Sequence, residues 1–429
     1  MKIANSPAVR RWPAPQAHDP VDATVSLPGS KSMMSRALML SAISSSASSI
    51  ADPLTARDSA LMVAALQALG VRINTTDDSL WAIHPGAFHG STTIDCGLAG
   101  TVMRFVPPLA GLVDGDVTFD GDPAARRRPM GPLLEALGRI GVDVKHDSGG
   151  LPFTIAGTGS VSGGHITIDA SASSQFVSGL LLSAPRFGNG VTVTHSGAAM
   201  PSTPHIRMTV DMLRDAGAVV DDSARNTWRV EPGQPSGRAW SIEPDLSNAA
   251  PFIASALVTA GTVTILRWPH RTSQPGDLLR QLVTDFGGRA ELTADGLRVT
   301  GTGSINGIDA ELSEAGELTP VIAALCALAD SPSSLRGIAH LRGHETDRLA
   351  GLRAQINGLG GDVIETPDGL RITPSPLKAG VFETYDDHRM AHAAAVIGLV
   401  VPGVELSDVA CTTKTLPQFP QMWDQALGH

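Results

Sequence analysis

A short polar loop followed by an apolar, helix-like run recurs six times along this 429-residue chain. One marker residue stands in each copy, and successive markers lie 69 to 74 residues apart: Ser32, Thr101, Ser174, Asn248, Thr319 and Arg389. A single copy is too small to bury its own apolar face, so repeats of such even length must stack on one another. The sequence therefore predicts a fold of six similar units rather than one irregular core.

The rest of each copy predicts an α/β unit. A second helical pattern follows each of the first five polar loops and stops at a glycine, which suits the left-handed residue after a helix: Gly70, Gly141, Gly217, Gly287 and Gly360. Short runs with strand-forming residues follow, such as Leu80–Ile83 and Leu370–Ile372. Each unit reads as helix, strand, helix, strand, strand, and the fold class is α/β.

The sixth copy is incomplete, because only 44 residues remain from Asp386 onward. The N-terminal stretches 12–15 and 21–25 resemble residues 372–376 and 381–385, so residues 1–29 are expected to pack with the C-terminal part. We expect two domains of three units each, one of residues 30–244 and the other of residues 245–429 plus 1–29. Chain crossovers near Gly29 and Pro244 would connect them and act as a hinge.

Charge and hydropathy exclude several partner classes. The net charge of −10 argues against nucleic acid as a partner. No apolar run approaches the ~20 residues that span a bilayer, and the polar, proline-rich start lacks a signal-peptide core, so we expect a cytoplasmic protein without a membrane partner. The three cysteines have no zinc-site or disulfide spacing and are expected to be small core residues.

The first polar loop carries groups suited to an anion. Ser30 can cap a helix that continues through residues 37–43, and Lys31, Ser32 and Arg36 lie in its first turns. Free backbone N–H groups and the positive end of the helix dipole would act together with these side chains. The alternative is an ordinary capped helix with solvated cations, but the recurrence of the loop favours the anion site.

Equivalent helix starts should point the same way within each domain. If the two domains face each other, these starts converge on one cleft, and a polyanionic ligand is expected there. Phosphate or carboxylate recognition is expected from five cations: Arg104, Arg128, Arg348, Arg389 and Lys414.

Proton transfer is expected from carboxylates within this cationic setting, namely Glu317, Glu345 and Asp387. His344 and His388 could carry protons or donate hydrogen bonds. The chain has no Walker loop, no GxGxxG motif and no metal-ligand cluster, so no cofactor is expected. The residues by themselves lead to acidic, phosphorylated substrates and acid–base chemistry, and no further.

The motifs together resemble one family. LPGSKS, LAGTVMRF, RRRPMGPLLEAL, ASASSQFVSGLLLSAP, RGHETDRL, YDDHRMAHA and CTTKTLPQFP are similar to those of the enolpyruvylshikimate-phosphate synthases, the 3-phosphoshikimate 1-carboxyvinyltransferases, from about Pro28 to Pro420. The resemblance implies an inside-out α/β barrel in each of two similar domains, with helices inside and sheets outside. It implies transfer of the enolpyruvyl group of phosphoenolpyruvate to the 5-hydroxyl of shikimate 3-phosphate in the interdomain cleft, by addition and elimination of phosphate, on the shikimate pathway to chorismate and aromatic amino acids. No metal or redox cofactor is implied.

The resemblance also implies roles for individual residues. The catalytic residues are Glu317, Glu345 and Lys31. Shikimate 3-phosphate would be bound by Lys31, Ser32, Arg36, Ser173, Ser174, Gln175, Ser202, Glu317 and His344. Phosphoenolpyruvate would be bound by Lys31, Gly100, Arg128, Gln175, Arg348, Arg389 and Lys414. The 30–244 domain would thus carry the shikimate-phosphate site, and the other domain the acid–base and phosphoenolpyruvate-binding residues.

Some positions depart from the commoner family pattern: Glu317 in place of Asp, His344 of Lys, His340 of Asn, Leu98 of Asn and His205 of Tyr. Gly100 leaves room for glyphosate, a family inhibitor of the phosphoenolpyruvate site, so a sensitive enzyme is expected.

Two other functions stay open at this point. Enolpyruvyl transfer to a UDP-sugar uses the same fold but a cysteine in the loop corresponding to Gly121–Arg128, which has none here. A non-catalytic protein that binds phosphorylated metabolites should lose its carboxylates, yet all three are kept. We expect small-molecule substrates and a monomer.

Overall fold

The computed structural model describes residues 11–428. Residues 1–10 and His429, which the sequence assigns to the second domain, lie outside the described part. The described chain divides into two compact units. We call one of them the lysine unit, after Lys31; it consists of Pro28–Asp245 and Arg271–Pro275. We call the other the glutamate unit, after Glu345; it consists of the described residues up to Leu27, of Leu246–His270 and of the described residues from Gly276 onward. The chain therefore passes between units four times, because the short segment Arg271–Pro275 joins the lysine unit.

The short segment Arg271–Pro275 is hydrogen-bonded to a glutamate of the lysine unit. Glu243 accepts hydrogen bonds from Thr272 Oγ1 at 2.6 Å and from Gln274 Nε2 at 2.8 Å. The Gln274 amide also donates to the carbonyl of Pro244. Sequence reasoning expected crossovers near Gly29 and Pro244 alone, since nothing in the repeat marks this excursion.

Thirteen α-helices lie within residues 11–428. They are α1 Lys31–Ala42, α2 Arg57–Ala68, α3 Gly100–Ala110, α4 Pro123–Arg126, α5 Gly131–Arg139, α6 Gln175–Ser183, α7 Pro204–Asp215, α8 Ala250–Thr259, α9 Leu279–Asp285, α10 Thr319–Ala327, α11 Arg348–Gly358, α12 His388–Gly398 and α13 Phe419–Ala426.

The same residues contain twenty-three strands. They are β1 Trp12–Pro13, β2 Asp22–Val25, β3 Ser48–Ala51, β4 Arg72–Asn74, β5 Leu80–His84, β6 Thr92–Asp95, β7 Asp114–Asp120, β8 Asp143–His146, β9 Phe153–Thr158, β10 Gly164–Ile168, β11 Val191–His195, β12 Val220–Asp221, β13 Thr227–Val230, β14 Ala239–Ser241, β15 Thr262–Leu266, β16 Arg289–Leu292, β17 Gly296–Thr300, β18 Asp309–Glu311, β19 Ser333–Arg336, β20 Asp362–Glu365, β21 Leu370–Thr373, β22 Gly380–Phe382 and β23 Val404–Leu406.

The second of the six repeats shows the arrangement of helices and strands that the repeats share. Strand β6 leads into α3, β7 follows parallel to β6, and α5 then precedes the antiparallel strands β8 and β9, in the sheet order β6-β7-β9-β8. The register places Val117 opposite Ile155, and both side chains are buried under the helices. The predicted order of helix, strand, helix, strand, strand is confirmed, with one further strand before the first helix.

Two sheets obtain that further strand from a distant part of the sequence. Strand β2 directly precedes α1 in the chain but pairs in parallel with β15, Val25 facing Ile265. Strand β14 precedes α8 but pairs in parallel with β3, Trp240 facing Ile50. In addition, β1 pairs with β23. The N-terminal segment thus pairs with strands of the C-terminal part, as its sequence similarity predicted.

The first helix of each of the six repeats lies in the interior of the lysine unit or the glutamate unit. In the lysine unit α1, α3 and α6 pack on one another, and every residue of α3 is buried. In the glutamate unit α8, α10 and α12 do the same, and every residue of α12 is buried. Each unit has one core, with the sheets around the helices. Among the described residues, no helix has the length and hydropathy needed to cross a bilayer.

Candidate active site

The starts of the three inner helices of the lysine unit lie together. Ser35 of α1 donates through Oγ to Thr101 Oγ1 of α3 at 3.2 Å. Arg104 of α3 donates from Nη1 to Gln175 Oε1, the first residue of α6, at 2.7 Å. The positive ends of three helix dipoles therefore meet in one region, which is suited to anionic groups.

Lys31 is the first residue of α1 and contacts two buried aspartates. Its backbone N–H donates to Asp245 Oδ2 at 3.1 Å, and its Nζ lies 3.5 Å from Asp58 Oδ2. Ser30 occupies the N-cap position with an extended backbone, but its side chain forms no cap hydrogen bond. Ser30 is therefore the N-cap residue that the sequence predicted, but the Asp245 carboxylate, not the Ser30 hydroxyl, accepts a hydrogen bond from the first turn.

Arg36 of α1 is 1% exposed and connects α1 with α7 and, through a hydrogen bond of 3.4 Å from Nη2 to Ser178 Oγ, with α6. Its Nε donates to Thr209 Oγ1 of α7 at 2.7 Å, and its Nη2 donates to the His205 carbonyl at 2.8 Å. Its Nη1 donates to the carbonyl of Ser32 at 2.8 Å, while the Ser32 hydroxyl lies 3.4 Å from His205 Nε2. The guanidinium is thus fixed beside the start of α1.

Gly100 lies directly against two guanidinium groups. A Cβ atom at Gly100 would come 2.9 Å and 3.0 Å from Arg128 Nη1 and Nη2, and 3.1 Å from Arg104 Nη1. Arg128 is buried and donates from Nη1 to the Leu98 carbonyl at 3.4 Å. Gly100, Arg128 and Gln175 therefore lie in one cluster, with Arg104 connecting them.

The predicted serines lie on two loops of the same unit. Ser173 accepts the backbone N–H of Gln175 through Oγ at 3.3 Å, and Ser174 is the buried N-cap residue of α6. Ser202 stands two residues before α7 with φ of +55°, a left-handed conformation that a serine seldom adopts. Such strain persists where the surroundings hold it, often at functional loops.

Arg348 is the central cation of the glutamate unit. It begins α11, is 2% exposed, and donates from Nε to Asp387 Oδ2 at 2.8 Å and from Nη2 to Glu345 Oε2. Burial disfavours its charge, but the carboxylates of Asp387 and Glu345 outweigh burial and raise its pKa above the ordinary value. The guanidinium therefore stays charged and fixes both carboxylates.

Glu345 lies between two buried cations. One carboxylate oxygen accepts from Arg348, and the other accepts from Lys414 Nζ at 2.6 Å. Lys414 is 3% exposed and comes from the short helical turn Ala410–Lys414. The two motifs RGHETDRL and CTTKTLPQFP, which are about 70 residues apart, thus meet at this carboxylate.

The YDDHR motif forms the start of α12. Asp387 is its N-cap and accepts the backbone N–H of Arg389, while Tyr385 and Asp386 before it both have positive φ. Arg389 is buried and donates from Nη1 to the Ser247 carbonyl at 2.8 Å and to Asn248 Oδ1 at 2.9 Å. Two of the polar loops that mark the repeat, those before α8 and α12, are joined through this arginine.

Glu317 stands in the short helical turn Gly316–Leu318 just before α10. Its Oε2 accepts from Ser247 Oγ at 3.4 Å. His344 belongs to the same unit, with Nδ1 3.2 Å from Arg348 Nη1. The neighbouring His340 is half-buried, and this partial burial together with the charge of Arg348 lowers its pKa to about 4. His340 is therefore a neutral imidazole at pH 7.

Glu345, Asp387 and His388 place donor atoms within 4.8 Å of one another, a spacing that could hold a metal ion. However, Arg348 and Lys414 already bind the carboxylate oxygens of Glu345 and Asp387. Side-chain cations therefore balance the negative charge here, and we assign no metal to this cluster.

Within each unit, the structure brings the predicted residues together at helix starts. Asp58 was missed, because an acidic residue in the first turn of a helix is common and nothing in sequence relates it to Lys31. Asn248 was noted as a repeat marker but not as a site residue, and its contact with Arg389 becomes evident once the repeats are superposed.

Six sheets around two sets of buried helices define the enolpyruvyl transferase fold. EPSP synthase of Acinetobacter baumannii has this fold in two solved structures, with TM-scores of 0.78 and 0.76 at 22% identity and at least 96% of each chain covered. The enolpyruvyl transferase NikO of Streptomyces tendae matches with a TM-score of 0.74 at 16% identity over 96% of both chains. The predicted fold class is confirmed.

The sequence comparisons point to one family among the proteins with this fold. The EPSP synthase (3-phosphoshikimate 1-carboxyvinyltransferase) family model matches residues 15–423. A 3-phosphoshikimate 1-carboxyvinyltransferase of Kocuria rhizophila is 53% identical, covering 97% of this chain and 96% of the relative. The chain belongs to the EPSP synthase family and is a transferase of the shikimate pathway with 3-phosphoshikimate 1-carboxyvinyltransferase activity. The predicted family and activity are confirmed.

Proposed function

We propose that the described side chains carry out enolpyruvyl transfer by addition and elimination. The methylene carbon of phosphoenolpyruvate takes up a proton, and the 5-hydroxyl oxygen of shikimate 3-phosphate bonds to the adjacent carbon as it loses its own proton. The methyl carbon of this tetrahedral intermediate then returns a proton, and the bond to phosphate breaks. The products are the enolpyruvyl ether and inorganic phosphate. The protein must therefore hold two anions and move protons.

The lysine unit binds shikimate 3-phosphate in this proposal. Its phosphate contacts the start of α6 and the strained loop at Ser202, where backbone and hydroxyl donors converge. Arg36 holds the start of α1 and adds positive charge behind it. The residues assigned to this substrate are Lys31, Ser32, Arg36, Ser173, Ser174, Gln175 and Ser202, with Glu317 and His344 from the glutamate unit.

Phosphoenolpyruvate uses cations of both units. Arg128 against Gly100 offers a fork of donors that suits a phosphate or carboxylate. Arg348, Arg389 and Lys414 supply the corresponding groups of the glutamate unit. Lys31 and Gln175 contact both substrates in this assignment.

Glu345, Glu317 and Lys31 serve as the proton-transfer groups. Glu345 is the strongest candidate, because a carboxylate held between Arg348 and Lys414 is aimed at the same anion that these cations bind. When phosphate or carboxylate oxygens compete for the two cations, Glu345 is released toward the substrate. Lys31, fixed by Asp58 and Asp245, can stabilise charge on the attacking oxygen or on the leaving phosphate.

The observation that carries the proposal is the pairing of Glu345 with Arg348 and Lys414, in a chain that matches the family over residues 15–423. The test mixes the purified protein with shikimate 3-phosphate and phosphoenolpyruvate and follows phosphate release. Release is expected with this pair and not with a UDP-sugar acceptor. Release only with the UDP-sugar, or none with either acceptor, would contradict the proposal.

A Lys31→Met variant tests the lysine separately. A solvated lysine on a capped helix would tolerate this change, whereas a lysine that contacts both substrates would not. Turnover is expected to fall at least about 100-fold, the usual scale for losing a preorganised charge. A turnover rate near that of the parent enzyme would remove Lys31 from the site.

The enzyme is proposed to work in the cytoplasm as a monomer on small-molecule substrates, without nucleic acid. Both substrates are phosphorylated anions that do not cross bilayers unaided, so their producers and consumers share a compartment. Light scattering coupled to size exclusion tests the monomer, since a mass near twice 44.5 kDa would contradict it.

A further inference from the structure

His195 is a buried histidine that none of the roles above uses. It is the last residue of β11 and is 7% exposed. Its backbone is fixed on both sides, since its N–H donates to the Asn226 carbonyl at 2.8 Å and it lies opposite Ile168 of β10. The ring therefore projects from a rigid strand end into the loops that follow β10 and β11.

Both ring nitrogens of His195 bind loop backbone. Nδ1 accepts the N–H of Ala170 at 3.1 Å, and Nε2 lies 2.9 Å from the carbonyl oxygen of Ala198. Since an N–H donates to Nδ1, that nitrogen carries no proton, and Nε2 must be the protonated donor to Ala198. One neutral imidazole thus joins two loops that the sequence separates by 28 residues.

Other contacts support the same junction. Ser171 Oγ also donates to the Ala198 carbonyl, at 3.1 Å. Gly197, with φ of +133°, passes so close that a Cβ atom there would lie 2.5 Å from Asp169 Oδ1 and 2.8 Å from Ser171 Oγ. The backbone at Gly197 is therefore packed against the side chains of Asp169 and Ser171, with no room for a side chain at residue 197.

Each loop leads directly to residues assigned to shikimate 3-phosphate. The Ala170 carbonyl accepts the N–H of Ser173, so fixing Ala170 fixes the turn that presents Ser173 and Ser174. Ala198 leads through buried Met200 and Pro201 to Ser202. The spacing between Ser174 and Ser202 is thus set by the His195 ring.

We propose that His195 is a positioning residue for shikimate 3-phosphate, holding the Ser173–Ser174 turn and the Ser202 loop in register through its two ring nitrogens. This inference rests on the proposed assignment of those serines to the substrate. It predicts that loss of the ring weakens binding of this one substrate without affecting phosphoenolpyruvate or the chemical step.

The test uses the full chain and three variants of His195, with titration calorimetry of shikimate 3-phosphate alone and steady-state kinetics. His195→Phe removes both hydrogen bonds, His195→Asn can still accept from Ala170, and His195→Gln can still donate to Ala198. The Kd and KM for shikimate 3-phosphate are expected to rise about tenfold in the Phe variant and less in the other two, the scale of two lost hydrogen bonds. The KM for phosphoenolpyruvate and kcat are expected to stay within about twofold.

Two controls separate the possible failures. His165→Phe, on the adjacent strand, removes a histidine that contacts Thr194 at 3.1 Å on the exposed surface, and its kinetics should not change. Ser174→Ala tests the assignment itself. If Ser174→Ala weakens binding of shikimate 3-phosphate and no His195 variant does, the inference is wrong and the site assignment stands. If Ser174→Ala has no effect, the assignment fails and the inference fails with it. Should the Phe variant not fold, the Asn and Gln variants decide, since unchanged Kd in both would overturn the inference.

Discussion

Two arginines of this enzyme are equally buried but differ in their partners. Arg348 donates to the carboxylates of Glu345 and Asp387, which balance its charge. Arg36 donates to oxygens of Ser32, His205 and Thr209, which orient its guanidinium. Arg36 therefore positions the start of α1, whereas Arg348 organises a network around Glu345, the proposed proton-transfer group.

Replacing Glu345 with Gln should separate chemistry from binding. The amide keeps the shape of the side chain but cannot take up or release the reacting proton, so kcat is expected to fall at least about 100-fold. The Kd of shikimate 3-phosphate is expected to change by less than about threefold, because Glu345 is not among its binding groups. Calorimetry and phosphate-release rates on the same preparation check both expectations.

The control for this variant is Glu365→Gln. Glu365 also lies between two arginines of the glutamate unit, Arg342 and Arg353, but on its surface. It should keep parental kinetics. Equal kcat for Glu345→Gln and the parent would exclude Glu345 from proton transfer.

Asp58→Asn tests the carboxylate beside Lys31. The substitution preserves shape but removes a negative charge 3.5 Å from the Lys31 ammonium. The ammonium then loses the partner that favours its charged form and its orientation, and kcat/KM is expected to fall about tenfold or more. Asp122→Asn, which breaks an exposed ion pair with Arg57, is the matched control and should leave kcat/KM unchanged. An unchanged kcat/KM for Asp58→Asn would show that Lys31 needs no such partner.

Helix starts are the elements on which function depends here. The repeat of 69 to 74 residues predicted all six of them, and the glycines after the second helices predicted where those helices end. Gly70, Gly141 and Gly217 all have the expected positive φ. These features were readable because they depend on local chain geometry. By contrast, Asp58 and the Gln274 contact with Glu243 arise from packing of distant segments, and no local pattern records them.

The start of α3 gives a prediction of its own. In Gly100→Ala, the new Cβ forces the guanidinium groups of Arg128 and Arg104 to move by a few tenths of an ångström. The KM for phosphoenolpyruvate is expected to rise about tenfold, because one well-aligned charged contact is weakened. Initial rates at varied phosphoenolpyruvate and glyphosate measure the change. The parent enzyme is expected to be inhibited by glyphosate and the variant less so.

Gly138→Ala serves as its control. Gly138 lies in α5 with no atom near its Cβ position, so alanine there should leave the kinetics unchanged and stabilise the helix by about 0.5–1 kcal/mol.

A parent enzyme that resists glyphosate at concentrations far above its phosphoenolpyruvate requirement would refute the predicted sensitivity.

Two histidines of the glutamate unit, the half-buried His340 and the buried His392, give a pH prediction. Burial and the charge of Arg348 lower the pKa of His340 to about 4. For His392, on α12, burial is the main cause and the charge of Arg389 the second, and together they lower the pKa well below its ordinary value. The unfolded chain binds these protons near pH 6.5, so the free energy of unfolding falls as pH drops below 6.5, by up to about 1.4 kcal/mol per pH unit for each histidine.

Urea unfolding at pH 7, 6 and 5 measures this dependence. His340→Asn and His392→Leu should each show a shallower loss of stability on acidification than the parent. His84→Asn, which removes an exposed histidine of β5, should follow the parent curve. Parallel pH profiles for all four proteins would contradict the assignment of these two rings as neutral.

At the scale of the whole molecule, the glutamate unit depends on a segment from the opposite end of the chain. Strand β2 completes the sheet of β15, and Val21, Val25 and Leu27 are all buried in that unit. Each such side chain contributes about 1.5–3 kcal/mol on burial. Deleting residues 1–27 is therefore expected to lower the melting temperature of the glutamate unit and leave that of the lysine unit unchanged.

Differential scanning calorimetry can resolve the two transitions. Arg11→Ala, which breaks an exposed ion pair with Glu405 and keeps β1 and β2, is the matched control and should preserve the parental thermogram. If deletion of residues 1–27 leaves the thermogram unaltered, the N-terminal strands do not stabilise the glutamate unit.

The pairing of β2 with β15 also has a consequence for biosynthesis. A ribosome adds about 240 residues between Val25 and Thr262, which at 5–20 residues per second takes roughly 12 to 48 seconds. The whole of Pro28–Asp245 emerges during that interval with its own sheets complete, while β2 waits without a partner. We therefore expect the lysine unit to fold on the nascent chain first, and β2, although translated before that unit, to pair with its sheet only afterwards.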